Sequence, residues 1–286
     1  MDTRTDAHDN KGDHRVIFSD RSVLAEIDID SAAYAALDVE TTGVHPWADR
    51  VVEIGIVRWR RGARAAEFLD MVNPKIPVKP GAQRVHGISS EELANAPLFR
   101  EIASDVADAL AGAVVVGHRA LSFDLPFINT EMARAGHKPL NNIVIDTSLL
   151  VKTSLIPGER RDLSSLARAM GVKEGERHRA LHDARLVLRI WLALLERFAE
   201  YGKKTLLDIL PYFRANIYPP SVMEVFRAAR AGGSAEVLYP SGRRLETRRI
   251  YPLFYRSGAI VAVDESGEIK SFKAERMRLN SPAGLN

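Results

Sequence analysis

An α/β body followed by a small all-β module is the fold class that three observations predict. From Ile17 to Phe198, apolar runs of strand length alternate with stretches of helical period, the pattern of a sheet flanked by helices. Beyond residue 234 the helical period disappears, and short runs rich in Val, Ile, Tyr and Phe are separated by the turn sequences PSGRR, RSG and ESG. Charge divides at nearly the same place. Residues 201–286 hold 14 Lys+Arg against 8 Asp+Glu, a net of +6, whereas residues 1–200 hold 26 against 29, a net of −3. A near-neutral body with a basic tail fits a catalytic unit joined to a module that grips something anionic, or a tail kept soluble by its cations.

The elements follow in order. Residues 1–16 are polar and without period, and are expected as a disordered leader. Within the body, expected at 17–200, Tyr34–Val39 reads as a buried strand and Val51–Trp59 as a second, after the turn-rich TGVHPWADR. Arg64–Val72 reads as a third, and the short links between them predict an antiparallel meander. Leu98–Leu110 has a helical apolar face, Ala113–Gly117 is a short strand, Leu125–Ala135 a helix and Ile143–Asp146 a strand. Leu163–Met170 is a helix with Asp162 at its N-cap and Gly171 just past its end. His178–Phe198 is a long helix whose apolar side runs Leu181, Ala184, Leu188, Trp191, Leu195, Phe198. Residues 201–233, broken by Pro211 and Pro219-Pro220 and closed by Gly232-Gly233, are expected as a linker with short helices, and 234–286 as the β module.

Composition narrows the function. With 286 residues, 46% hydrophobic and 27% charged, the chain is not disordered as a whole. The absence of cysteine excludes disulfides, thiolate metal sites and cysteine nucleophiles. No apolar run approaches the roughly 18 residues of a membrane span, since Leu186–Leu195 is broken by Arg189. The charged opening Met-Asp-Thr-Arg-Thr-Asp has no signal-peptide core, so a cytoplasmic location is expected.

Three acidic segments carry the candidate chemistry. In AALDVETTG, Asp38 and Glu40 are two residues apart on a strand and so share a face. Side by side on an apolar strand they repel each other and lose solvation, which calls for a cation or protons unless that face meets water. Asp124 lies in GHRALSFDLPF after a buried strand, as a functional acid or as a helix N-cap. His178 and Asp183, in ERHRALHDARL, can face one site if His178 ends the loop and Asp183 lies in the first turns of the helix. His178 and His182 have the spacing of two zinc ligands, but the HExxH motif needs Glu where Arg179 stands, which excludes a zinc protease. His182, His118, His86 and His137 read as surface or packing residues. Acids at strand ends and helix starts are what two divalent cations, Mg²⁺ or Mn²⁺, require. A pair about 4 Å apart can activate water and stabilise the leaving oxygen of a phosphodiester, with a histidine as base.

Residues 33–198 resemble the DEDDh, or DnaQ-like, family of 3′→5′ exonucleases. The matching segments are LDVETTG, VVEIG, VHGIS, APLF, VVVGHRALSFDLPF, IDTSLL, LSSLA and HRALHDARL. The resemblance implies a ribonuclease H-like mixed sheet flanked by helices and a two-metal mechanism. It implies that Asp38, Glu40, Asp124 and Asp183 hold the metals and that His178 deprotonates the attacking water. It further implies that the backbone at Thr41 and Thr42 cradles the terminal nucleotide, and that the region of Phe123 and Phe127 lines the strand path. One departure is Arg119, where the family usually has Asn after Gly-His; a cation there could contact phosphate or swing into solvent.

Residues 235–278 are similar to a WYL domain, a small SH3-like β-barrel, through LYPSG, RIYPL and SFKAERM, although Ala259-Ile260-Val261 stands where the Trp-Tyr-Leu triplet should fall. Arg243, Arg244, Arg248, Arg249, Lys273 and Arg276, interleaved with Tyr239, Tyr251, Phe254, Tyr255 and Phe272, form either a single-strand binding surface or the core and solubilising shell of a barrel. The function expected is a metal-dependent 3′→5′ exonuclease acting on single-stranded DNA in repair or proofreading. The alternatives are an exoribonuclease of the same family and a nucleic-acid- or nucleotide-sensing regulator. DNA is favoured over RNA as partner, and polymerase association is open, with no binding segment identified.

Overall fold

The nine strands and helices that the sequence pattern places in the body fall within two residues of their expected bounds, while the short helices at Arg21–Glu26 and Pro80–His86 were not anticipated. The computed structural model describes residues 21–63, 65–154, 156, 162–175, 178–214, 218–242 and 244–280; the expected leader and Arg243 lie outside them. The body begins with α1 (Arg21–Glu26), β1 (Tyr34–Thr41), β2 (Val51–Trp59) and β3 (Ala66–Met71). Then follow α2 (Pro80–His86), α3 (Phe99–Leu110), β4 (Val114–Gly117), α4 (Asp124–Arg134) and β5 (Val144–Asp146). It closes with α5 (Leu163–Ala169), α6 (Ala180–Glu200) and α7 (Leu206–Ile209). The strands form a mixed sheet in the order β3-β2-β1-β4-β5. The expected meander is antiparallel, and β4 and β5 join in parallel through helical crossovers.

Alternate residues of β1 feed two cores. Ala35, Leu37 and Val39 pack with Phe99, Val106 and Ile128 from α3 and α4. Tyr34 and Ala36 pack with Ala184, Val187 and Trp191 of α6. Asp38 and Glu40 continue the second set by parity, so the acids replace apolar side chains on the face that α6 covers. α6 lies unusually close to the sheet there. Gly55, the cross-strand partner of Asp38, faces its first turn, and a Cβ on Gly55 would stand 2.3 Å from the Leu181 nitrogen and 2.4 Å from the Ala180 carbonyl carbon. Only glycine permits that approach.

Residues 201–233, expected as a linker with short helices, contribute to both cores. Leu206, Ile209, Leu210 and Phe213 are buried with α6, and α8 (Pro220–Gly232) places Val222 and Val225 in the core of the β module. The prolines mark helix starts rather than breaks, because Pro220 occupies the first turn, where its missing N–H is not needed. The module is an antiparallel sheet, β10-β6-β7-β8-β9, of β6 (Ala235–Ser241), β7 (Arg244–Arg256), β8 (Ala259–Val263), β9 (Ile269–Lys273) and β10 (Arg278–Leu279). It docks on α4, where Leu253 and Phe254 pack near Ala133 and Asn129 donates its side-chain N–H to the Leu253 carbonyl at 3.2 Å. Among the described residues no helix is long and apolar enough to cross a membrane.

Gly55→Ala is expected to lower stability by about 1–3 kcal/mol in denaturant melts, because the methyl overpacks against backbone that cannot yield. Gly81→Ala, whose methyl would meet only the Arg84 guanidinium at 3.9 Å, is expected to leave the midpoint within about 0.5 kcal/mol.

Candidate active site

The end of β1 and the start of α6 bring three carboxylates together. Asp38, Glu40 and Asp183 each offer an oxygen, and these oxygens lie within 4.8 Å of one another. Asp183 reaches the group from the first turn of α6, and its Oδ2 also accepts the His178 N–H at 3.1 Å. The helix start is anchored by a residue that the sequence reading did not single out. Glu53 is fully buried on β2 opposite Glu40 and accepts from Arg179 Nε at 3.0 Å and from the Ala180 N–H at 2.7 Å. A carboxylate at a helix N-terminus meets unsatisfied N–H groups and the positive end of the helix dipole. An acid inside the apolar run VVEIGIV was the available signal.

Asp124 stands beside this group and outside the 4.8 Å set. It is buried at the start of α4, and its Oδ1 accepts the N–H of Val39, the residue between Asp38 and Glu40. Burial pushes the Glu40 carboxyl up to about 8, reinforced by the charges of Asp183, Glu53 and Asp124 and opposed by Arg179. Burial likewise raises Asp124 to about 7, against the Val39 hydrogen bond that favours its charged form. Arg179, the cation that Glu40 senses, is already committed to Glu53.

A second buried acid missed by the sequence reading shapes the turn that delivers Asp124. Asp146, at the end of β5, accepts the Arg119 N–H at 2.8 Å and the Leu121 N–H at 3.1 Å. Arg119 has φ +67°, and His178 has φ +62°. Each left-handed residue precedes a metal-ligand candidate by five positions, Asp124 and Asp183 respectively. Arg119 is exposed, and the left-handed backbone gives a physical reason for the family's usual Asn at this position. His178 is exposed at the rim, its backbone tied to Asp183.

The remaining candidates divide. Thr41 and Thr42 are buried, and their polar groups hold the loop: Thr41 Oγ1 donates to the Gly43 carbonyl at 2.5 Å, and the Thr42 N–H to the Arg50 carbonyl at 2.8 Å. The Thr41 carbonyl lies 3.2 Å from His86 Nε2, whose Nδ1 accepts the Ile88 N–H, so the proton sits on Nε2. Phe123 is half-buried. Phe127 corrects the expectation of a strand-lining residue, since it is 1% exposed in the core beneath α4, 5.1 Å from the Phe123 ring. In the module, Arg248 pairs with Glu246 and Arg249 with Glu236, each at 3.0 Å, and Arg276 lies over the Tyr239 ring. Arg244 and Lys273 are exposed. Phe254 and Phe272 are core residues of the module rather than stacking platforms. A cavity of about 310 Å³ lies apart from the carboxylates, between α4 and the module, lined by residues that include Pro126, Asn129, Phe226 and Leu253.

The exonuclease family model RNase_T matches residues 35–191, more than half of the chain. The chain belongs to the exonuclease family, in its DnaQ-like 3′→5′ branch. This exonuclease is 33% identical over 171 residues to DNA polymerase III subunit epsilon of Treponema pallidum, covering 59% of its own chain and 79% of that protein. It is 34% identical over 198 residues to a subunit epsilon-like protein of Rhodobacter capsulatus, covering 68% of its own chain and 28% of that one. A PolC-type DNA polymerase III of Caldanaerobacter subterraneus is 31% identical over 176 residues, covering 62% of this chain and 12% of that one. In fold, the exonuclease is similar to E. coli exonuclease I in complex with a dT13 oligonucleotide, with a TM-score of 0.50, 16% identity, and coverage of 82% of this chain and 55% of that one. A zinc-bound form of the E. coli exonuclease I–single-stranded DNA complex gives 0.52 at 18% identity, with coverage of 82% and 54%. The family match ends before the module and gives no support to the expected resemblance of residues 235–278 to a WYL domain.

Two measurements check this electrostatic picture. In the metal-free fold, Glu40 and Asp124 keep protons that the unfolded chain releases near pH 4, so raising the pH from about 4 to about 8 removes stability. The melting temperature of metal-free protein relative to Glu40→Gln is therefore expected to fall over that window, and Mn²⁺ to restore it more at pH 8 than at pH 6. A flat difference would contradict the assignment. Arg119→Asn is expected to raise stability by up to about 1 kcal/mol in denaturant melts, because Asn tolerates the left-handed region.

Proposed function

We propose that the exonuclease removes nucleotides from the 3′ end of single-stranded DNA with two divalent cations, Mg²⁺ or Mn²⁺, in repair or proofreading. The observation that supports this is the trio of carboxylate oxygens within 4.8 Å at the end of the central strand. Acids held this close, with burial raising Glu40, fit hard cations that prefer carboxylate oxygen. Asp38, Glu40, Asp183 and the adjacent Asp124 are the residues that would hold them. Such a pair supplies an activated water on one side of the phosphodiester and charge stabilisation of the leaving oxygen on the other.

The chain's own residues supply the rest. His178 takes the proton of the attacking water as general base, its ring nitrogen being able to accept that proton and hand it on. Its left-handed backbone and the N–H bond to Asp183 hold it at the rim of the site. Glu53 and Arg179 fix the first turn of α6 and so the position of Asp183. DNA is proposed over RNA because the relatives are named as DNA polymerase III proteins, and a neighbour in fold was captured with a dT13 oligonucleotide. Within the module, the exposed Arg244 and Lys273 are proposed to contact strand phosphates.

The test is degradation of 5′-labelled single-stranded DNA and RNA of one sequence with Mg²⁺, Mn²⁺ or EDTA. A metal-dependent ladder shortening from the 3′ end, faster on DNA, is expected; faster loss of RNA would identify an exoribonuclease. Asp38→Ala and Asp183→Ala are expected to lower the rate by several orders of magnitude without unfolding the chain. His178→Ala is expected to lower it by about 10²–10⁴-fold. Rates near wild type in these variants would contradict the assigned roles.

A further inference from the structure

The loop leaving the catalytic strand is held by residues of two domains. After Thr42 the chain runs through Gly43, Val44, His45, Pro46 and Trp47 before returning to β2 at Val51. Val44 and Trp47 are 58% and 49% exposed, large apolar side chains only four and seven residues from Glu40. The body holds the loop at several points. Asp49 accepts the His45 N–H at 2.9 Å and pairs with Lys79 at 2.7 Å. From α4, Arg134 donates to the carbonyls of Pro46 at 3.2 Å and Trp47 at 2.8 Å.

The same loop is also held from the module. Arg256, the last residue of β7, donates from Nη1 to the Val44 carbonyl at 3.1 Å. Its guanidinium carbon also lies 5.3 Å from the centre of the Trp47 ring. Trp47 in turn stacks on Phe254 of the same strand, with centroids 6.5 Å apart and planes 20° from parallel. A planar guanidinium can stack on an indole while its edge donates to a carbonyl; an ammonium offers a point charge in place of that fork. Arg256 thus joins a strand of the β module to the fourth residue after Glu40.

Resting on the exonuclease reading above, we propose that Arg256 is a positioning residue for the nuclease site. By fixing Val44–Trp47 against the module, it presents the exposed Val44 and the loop backbone to the terminal nucleotides of a single strand. Val44, 58% exposed, offers the strand end an apolar contact, not an aromatic stacking platform. The module therefore acts on substrate affinity through the loop and leaves the carboxylates untouched.

The test uses the full-length chain, with KM and kcat measured on a single-stranded DNA oligonucleotide in Mn²⁺. Arg256→Ala is expected to raise KM about 5–20-fold, the worth of one hydrogen bond and one cation–π contact, with kcat within about twofold. Arg256→Lys, which keeps the charge and the stem packing, is expected to raise KM by about 3-fold. It remains the reporter should the alanine variant lose the fold of its module. In a double-mutant cycle, Trp47→Ala added to Arg256→Ala is expected to raise KM no further than the larger single effect. Acrylamide quenching of tryptophan fluorescence should increase in Arg256→Ala as Trp47 is released. An active wild type with unchanged KM in both Arg256 variants, or additive effects of the pair, would overturn the proposal alone. A wild type inactive with either metal would overturn the nuclease reading and the proposal with it.

Discussion

Asp38, Glu40 and Asp183 bring like charges within 4.8 Å of one another in a partly buried site, and most of the surrounding structure serves to hold them there. Left alone, such acids take up protons or pull apart, and burial followed by the neighbouring carboxylates pushes Glu40 toward the first outcome. The protein prevents the second outcome by making each position part of a rigid element. Strand parity fixes Asp38 and Glu40 on one face. The bare backbone of Gly55 lets α6 descend onto that face, and the buried Glu53 clasps Arg179 and the Ala180 N–H at the helix start. Asp124 is tied to the same strand through the Val39 N–H. On the proposed reading, a divalent cation would gain what the protein cannot relieve by motion, the mutual repulsion of ligands already in place.

Much of this was legible in the sequence, for identifiable reasons. Strands of the body alternate or run continuously apolar, and the longer helices show clear 3.6-residue period, so nine body elements were placed within two residues; the six- and seven-residue helices Arg21–Glu26 and Pro80–His86 are too short to show a period and were missed. The acids at 38, 40, 124 and 183 stood out because each interrupts an apolar run or follows one. Glu53 and Asp146 interrupt apolar runs as well, yet their roles depend on which donors the fold brings to them, for Glu53 the Arg179 side chain and the Ala180 N–H, 126 and 127 residues away. Sequence spacing carries no trace of such pairing. Phe127 failed for the opposite reason, since an aromatic three residues from a candidate ligand acid reads the same whether the helix turns it inward or outward. In the module, counting arginines could not show that Glu246 and Glu236 already pair with two of them.

The region between body and module was the least legible. Pro211, Pro219 and Pro220 suggested breaks, but Pro220 initiates α8, and that helix completes the module's core through Val222 and Val225. The body and the module meet over α4, the helix that begins with Asp124, and again at the loop that follows Glu40. Two of the segments that deliver the acids are therefore braced by the β module. Chain connectivity alone would have left the two domains independent.

The most direct test of the account is a crystal structure of the full chain grown with Mn²⁺, with the ions located by anomalous scattering. The account predicts anomalous peaks among Asp38, Glu40, Asp124 and Asp183, with the side chains moved little from the positions described. Density confined to surface carboxylates, or a carboxylate group that spreads apart and stays metal-free at millimolar Mn²⁺, would contradict it.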